Sequence, residues 1–197
     1  MPRGRAWGFE REQALSQAIL LFWERGYGGA SYKALLSVMG VPHPQSLIAA
    51  FGSKAKLFEA ALAQYWEHRL GPVLACLDAD EPIAAFDGLL DRAARLYTAE
   101  APALGCLILT SLVNVRPEDA EVRAIVAAYR GRIVGAIEQR LARAVADEHL
   151  SPVLMPALTQ LTLTTLAGMA LRAQSGTPYE ALILGIDAVI EPLQTAI

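Results

Sequence analysis

Apolar residues in the first seventy positions recur at intervals of three and four. Ala14, Leu15, Ala18, Ile19 and Phe22 mark one amphipathic helix. The pattern stops at Gly26, and Gly28 and Gly29 behind it suit a backbone that needs positive φ. Ser31 stands before a second short run, in which Leu35, Val38 and Met39 share a side and Gly40 closes. A serine there caps the helix, its hydroxyl accepting from the first free N–H groups. After His43, Pro44 suits the first position of a third helix, with Leu47 and Phe51 as its inward pair. Gly52 ends that helix, Ser53 caps a fourth, and Leu57, Phe58, Ala61, Leu62 and Tyr65 continue at helical spacing. Three short helices, the last two joined by a tight glycine-containing turn, predict a helix-turn-helix. In such a unit the first two helices hold the third outward, burying Leu35, Met39, Leu47 and Phe51 against Ala18 and Phe22. A small helical subdomain with no nucleic-acid role fits the same pattern.

Beyond Tyr65, Pro82, Pro102, Pro117, Pro152 and Pro178 divide the chain into segments of helical length. They predict helices near 54–77, 83–99, 103–114, 118–147, 153–175 and 179–195. The apolar run Cys106–Leu109 is the one candidate strand, and nothing nearby would pair with it. The expected fold is therefore all-α: a helix-turn-helix unit over residues 1–53 and a six-helix body over residues 54–197. The last two helices are apolar nearly all round. Leu158, Leu161, Thr165 and Gly168 form one stripe, and Leu182, Ile186, Val189 and Leu193 another. A helix of that kind must be covered on both sides. Pairing with two-fold copies as a four-helix bundle would do so, which predicts a homodimer. Val153–Leu171 carries no charge, but Pro156, Gln160 and four threonines argue against a membrane span.

Composition narrows the function classes. Among 197 residues, 54% are hydrophobic and 19% charged, which excludes a disordered chain. Two isolated cysteines, Cys76 and Cys106, support neither a disulfide scaffold nor a cysteine-based zinc site and suit a reducing compartment. The opening Met1-Pro2-Arg3-Gly4-Arg5 has no apolar stretch behind it, so no signal peptide is read and the expected location is cytoplasmic. The net charge of −3 is segregated. Residues 1–60 hold seven basic groups against four acids, and residues 61–197 hold ten arginines against sixteen acids. A basic head on an acidic body is expected where only the head meets phosphates. His43, His68 and His149 are scattered without metal-ligand spacing. Gly26-Tyr27-Gly28-Gly29 lacks the strand and length of a phosphate loop. No catalytic set, metal or cofactor is expected.

The stretch from Phe9 to Tyr65, with LFWERGYGGAS, MGV, SLIAAFGSKAKLF and ALAQY in order, resembles the DNA-binding domain of the TetR family of transcriptional repressors. The other 130 or so residues match in helicity and length. The resemblance implies an operator-binding head, an effector-binding body and a homodimer. It also implies that Ser31 and Lys54 approach backbone phosphates while the third helix reads bases.

Two departures from that family's pattern stand out. The chain is one residue longer between Gly40 and Phe51, and the positions usually held by a tyrosine and a histidine are Ile48 and Ala50. The expected DNA-facing set is Arg3, Arg5, Ser31, Tyr32, Lys33, His43, Gln45, Ser46, Ala49 and Lys54. Within it Gln45 is the side chain able to make a bidentate contact, which favours adenine, and Arg3 and Arg5 form an arm suited to a minor groove. A ligand cavity is expected among the helices 54–77, 83–99, 103–114 and 118–147. Trp66, Tyr97, Thr110, Asn114 and Tyr129 are its candidate polar contacts. Each tyrosine or tryptophan also fits a plain core position, and Asn114 also fits a cap before Pro117. Two rival readings remain at this point: a ligand-binding dimer whose head no longer recognises an operator, and a protein-interaction module built on the apolar terminal helices.

Overall fold

Ten α helices follow one another in the computed structural model, which describes residues 11–186 and residue 190. They are α1 (Arg11–Gly29), α2 (Tyr32–Met39), α3 (Pro44–Phe51), α4 (Lys54–Tyr65), α5 (Gly71–Leu74), α6 (Pro82–Tyr97), α7 (Leu107–Asn114), α8 (Ala120–Ala146), α9 (Met155–Gln174) and α10 (Tyr179–Ile183). There is no strand among the described residues.

The N-terminal unit is closed at each helix end by the residues that the pattern singles out. α1 breaks at Gly26, whose φ of +67° leaves the helical region. Ser31 caps α2, its hydroxyl accepting from the Ala34 N–H at 3.2 Å, and Gly40 ends it in the left-handed conformation. Pro44 opens α3, and the Gly52 N–H bonds the Ile48 carbonyl at 2.7 Å to close it. Ser53 then caps α4 by accepting from the Lys56 N–H at 3.1 Å. α1 packs on α2 and α4, and on α4 it does so through rings. Phe22 meets Phe58 edge-on at 5.0 Å, and Tyr27 meets Phe58 at 5.4 Å. Leu35, Leu47 and Phe58 are fully buried, each contributing roughly 1.5–3 kcal/mol from apolar burial.

Two expected helices differ in detail. The segment 54–77 is not one regular helix. Pro72 has no N–H for the ladder, and the backbone around it slips to a wider turn over Trp66–Leu70 in which the Gly71 N–H bonds the Trp66 carbonyl five residues back. Residues 103–106 are not helical, and Cys106, with extended backbone, opens α7. Gly105 there has a φ of +70°, and a side chain on it would collide with the Ala170 carbonyl oxygen of α9. Only glycine permits that approach.

The body core is apolar with a few neutral polar groups. The Tyr65 hydroxyl lies 3.7 Å from the Cys106 sulfur, and Tyr65, Tyr97 and Cys106 are all buried. Burial pushes both phenols and the thiol upward, which keeps all three uncharged. Arg140 of α8 is buried and donates to the Asp80 carbonyl at 2.8 Å, and Arg143 donates to the Leu77 carbonyl. The pair satisfies the free carbonyls where the 3-10 turn Ala75–Asp78 ends. Pro152–Gln174 is long and apolar enough to cross a membrane, but α9 instead packs on α6, α7, α8 and α10.

Candidate nucleic-acid interface

α3 is held between two capped helices and presents a nearly uncharged surface. Gln45, Ile48 and Ala49 share a side by three- and four-residue spacing, and all are exposed, Ile48 by 48%. Ser46 is half-buried. His43 is exposed at the entrance of the helix and makes no side-chain cap. Tyr32 and Lys33 are exposed in the first turn of α2, beside the Ser31 cap. The N-termini of α2 and α4 carry the partial positive charge of their dipoles, an arrangement suited to phosphate oxygens. Arg3 and Arg5 lie outside the described residues.

Lys54 opens α4, but its ammonium is not simply extended into solvent. It stacks over the Tyr27 ring, 4.3 Å from the centroid. Partial burial lowers its pKa, a shift that the nearby Asp119 opposes. Asp119 is in turn paired with Arg116 at 3.1 Å. Arg11 is similarly placed over Phe51, at 4.8 Å. Neither ring partner stands out in the sequence, because a tyrosine or phenylalanine at a core position gives no sign of a cation above it.

The expected ligand residues do not converge on one cavity. A cavity of about 460 Å³ opens where α7, α8 and α9 meet, and Thr110 is the one member of the set that lines it. Trp66 borders a second cavity, of about 250 Å³. Arg132 lies 3.8 Å over its ring, and Tyr129 stands 5.9 Å away. Tyr97 is buried beside Cys106. Asn114 caps the end of α7, its amide donating to the Thr110 carbonyl at 2.9 Å. A methyl on Gly26 of α1 would meet the Asn114 Cβ at 3.5 Å, so this end of α7 abuts the head. Arg130, Gln160 and Thr164, which line the larger cavity, were not among the expected residues. Arg130 leaves a legible signal: it interrupts the inward stripe of α8 four residues after Val126 and three before Ile133.

In the terminal helices, Leu158, Leu182 and Ile186 are buried within the single chain. The outward apolar residues are Leu161, Leu171 (50% exposed) and Leu184 (84% exposed). Thr165, Gly168, Leu182 and Ile186 line a groove of about 230 Å³ between α9 and the chain that follows it. Val189 and Leu193 lie outside the described residues.

A three-helix head whose α3 is exposed between the capped helices α2 and α4, on a helical body, defines a helix-turn-helix DNA-binding protein. No family model matches the chain. It is 30% identical over 193 residues to the HTH-type transcriptional repressor BdcR of Escherichia coli K12, covering 98% of this chain and 93% of that protein. It is 25% identical over 184 residues to the HTH-type transcriptional repressor ComR of the same organism, covering 92% and 87%. Among solved structures, a cysteine-substituted form of the TetR family transcriptional regulator CifR, complexed with 26-bp double-strand operator DNA, is similar. It has a TM-score of 0.87 and 34% identity, covering 96% of this chain and 98% of that one. The chain belongs to the TetR family of transcriptional regulators. As a member of that family it is a DNA-binding transcriptional regulator.

Proposed function

We propose that the protein is a cytoplasmic repressor whose two heads grip operator DNA and release it when a small molecule enters the body. The division into a head of residues 1–53 and a body of residues 54–197 is part of this reading, with α4 as the element between them. The DNA-facing set keeps Ser31, Tyr32, Lys33, His43, Gln45, Ser46, Ala49 and Lys54, with Arg3 and Arg5 as the arm, and gains Ile48. The dimer forms through the outward face of α9 and the residues after it. Two heads then meet successive major grooves roughly 34–36 Å apart.

The observation that carries the effector part is the reach of one short helix. α7 lines the larger cavity with Leu109 and Thr110 at one end, and at the other Asn114 abuts Gly26 of the head. A ligand that moves α7 therefore bears on α1, with coupling of roughly 1–3 kcal/mol expected of such systems. The relatives named as repressors support the sign of regulation.

The test is a mobility-shift assay of the full chain on duplexes selected from a random 26-bp pool, with sedimentation to give the mass. The reading requires a selected palindrome bound by two protomers. Exposed Ile48 and half-buried Ala50 favour one rival, a ligand-binding dimer whose head is silent, because neither side chain can donate to a phosphate. Failure to enrich any sequence selects that rival.

A further inference from the structure

Among the described residues, the larger cavity holds one charged side chain and no counter-charge. Arg130 sits four residues after Val126, three before Ile133 and seven before Ile137, all of them buried residues of α8. Helical spacing thus places a guanidinium in the middle of the stripe that faces the core. It is nonetheless exposed, because a cavity of about 460 Å³ opens there instead of packed chain. Across the cavity α9 offers Gln160 and Thr164, both neutral, and the rest of the wall is largely apolar, including Leu109, Leu163 and Leu171. No aspartate or glutamate lines it, and Arg130 makes no ion pair among the described residues.

Ligand sites of this size, roughly 300–1,000 Å³, combine an apolar wall with a few placed polar groups that set orientation. A lone cation on such a wall selects for negative charge at one end of the guest, since an arginine can donate two parallel hydrogen bonds to the oxygens of one carboxylate. Gln160 and Thr164 supply further donors. The apolar remainder of the wall would cover a short hydrocarbon body. We infer that this cavity takes a small amphipathic anion, one carboxylate head with a short apolar chain, its head on Arg130. The inference rests on the reading of the body as an effector domain and specifies the chemistry of the effector.

The test is calorimetric titration of the full-length dimer with octanoate, 1-octanol and octylamine, which share a chain and differ in charge. Octanoate should bind one per protomer and at least tenfold more tightly than either of the others. Arg130→Gln should weaken octanoate by about ten- to a hundredfold, the effect of losing a charged hydrogen-bond partner, and leave 1-octanol unchanged. Arg130→Lys should restore part of the loss. Ala167→Leu, on the cavity wall but outside the stripe assigned to the dimer, should block all binding by filling the cavity. No octanoate binding, equal affinity for octanoate and 1-octanol, or an octanoate preference that survives Arg130→Gln would overturn the inference. The mobility shift of the same preparation is a separate readout, so a failed titration with intact DNA binding discards the anion and leaves the regulator.

Discussion

The head and the body of this chain solve packing in opposite ways. In the head, short helices are closed by one residue at each end, and rings fill the space between them, Phe22 on Phe58 and Tyr27 on Phe58. Even its cations are fixed by rings, Lys54 over Tyr27 and Arg11 over Phe51. In the body, α7, α8 and α9 leave a cavity of about 460 Å³ with a charged residue on a core-facing stripe. A reading helix needs a rigid support so that its few contacts arrive in register. A ligand-responsive body needs space that packing has not already claimed, and α7 is the piece that touches both.

The largest expected effect breaks the head's side of that contrast. Phe58→Ala removes a fully buried ring on which both Phe22 and Tyr27 rest. It should cost about 3–5 kcal/mol of stability, the usual range for such a truncation, read from denaturant unfolding. Loss of DNA retardation should follow at temperatures where the wild type still binds. A cost under about 1 kcal/mol would mean that the head is not packed as described.

Next come the contacts with DNA, where two substitutions should separate. Gln45→Ala should cost ~1–3 kcal/mol of discrimination between the selected duplex and single-base variants of it. Lys54→Ala should weaken binding to all sequences alike and lower the slope of log affinity against log salt by about 1. Titrations of labelled duplex at several salt concentrations measure both. Unchanged selectivity in the Gln45 variant would leave Ile48 and Ala49 as the reading surface.

Ser31→Ala is smaller. It removes the hydroxyl that accepts from the Ala34 N–H and should cost about 1 kcal/mol. Ser53→Ala should behave alike, since its hydroxyl plays the same part for α4.

These head predictions could be written almost from the sequence, because a cap or a terminating glycine depends on its near neighbours. Ser31, Gly40, Pro44, Gly52 and Ser53 are all legible for that reason. The body was legible in outline, as helices between prolines. Its particulars depended on residues far apart. Residues 103–106 stay out of the helix around Gly105, where Ala170, sixty-five positions on, leaves no room for a side chain. The regular helix over 54–77 fails at a proline whose effect falls on the turn before it. Of Trp66, Tyr97, Thr110, Asn114 and Tyr129, Thr110 lines the larger cavity, while Arg130, Gln160 and Thr164 reach the same wall from helices that meet only in three dimensions.

The smallest effect concerns how the body keeps its terminal helices in place. Asp91 of α6 accepts from the Arg95 Nε at 2.9 Å and from the Tyr179 hydroxyl, while Arg95 also donates to that hydroxyl at 2.6 Å and lies over its ring. This cluster ties α6 to α10, next to the face assigned to the dimer. Hydrogen bonds from Arg95 first, then Tyr179, hold the Asp91 carboxyl below its usual range. A carboxylate depressed in the folded state contributes stability above its unfolded pKa of about 3.9 and loses it as pH falls through the lower folded value. Asp91→Asn should therefore be less stable than the wild type at pH 7, and the gap should narrow between pH 4 and the acid end of the stable range. Solvent screening keeps the gap small, because the Arg95 side chain is well exposed. Denaturant midpoints for both proteins at pH 7, 5, 4 and 3 decide it. A gap that does not change with pH would assign the cluster's contribution to packing of Tyr179 rather than to charge.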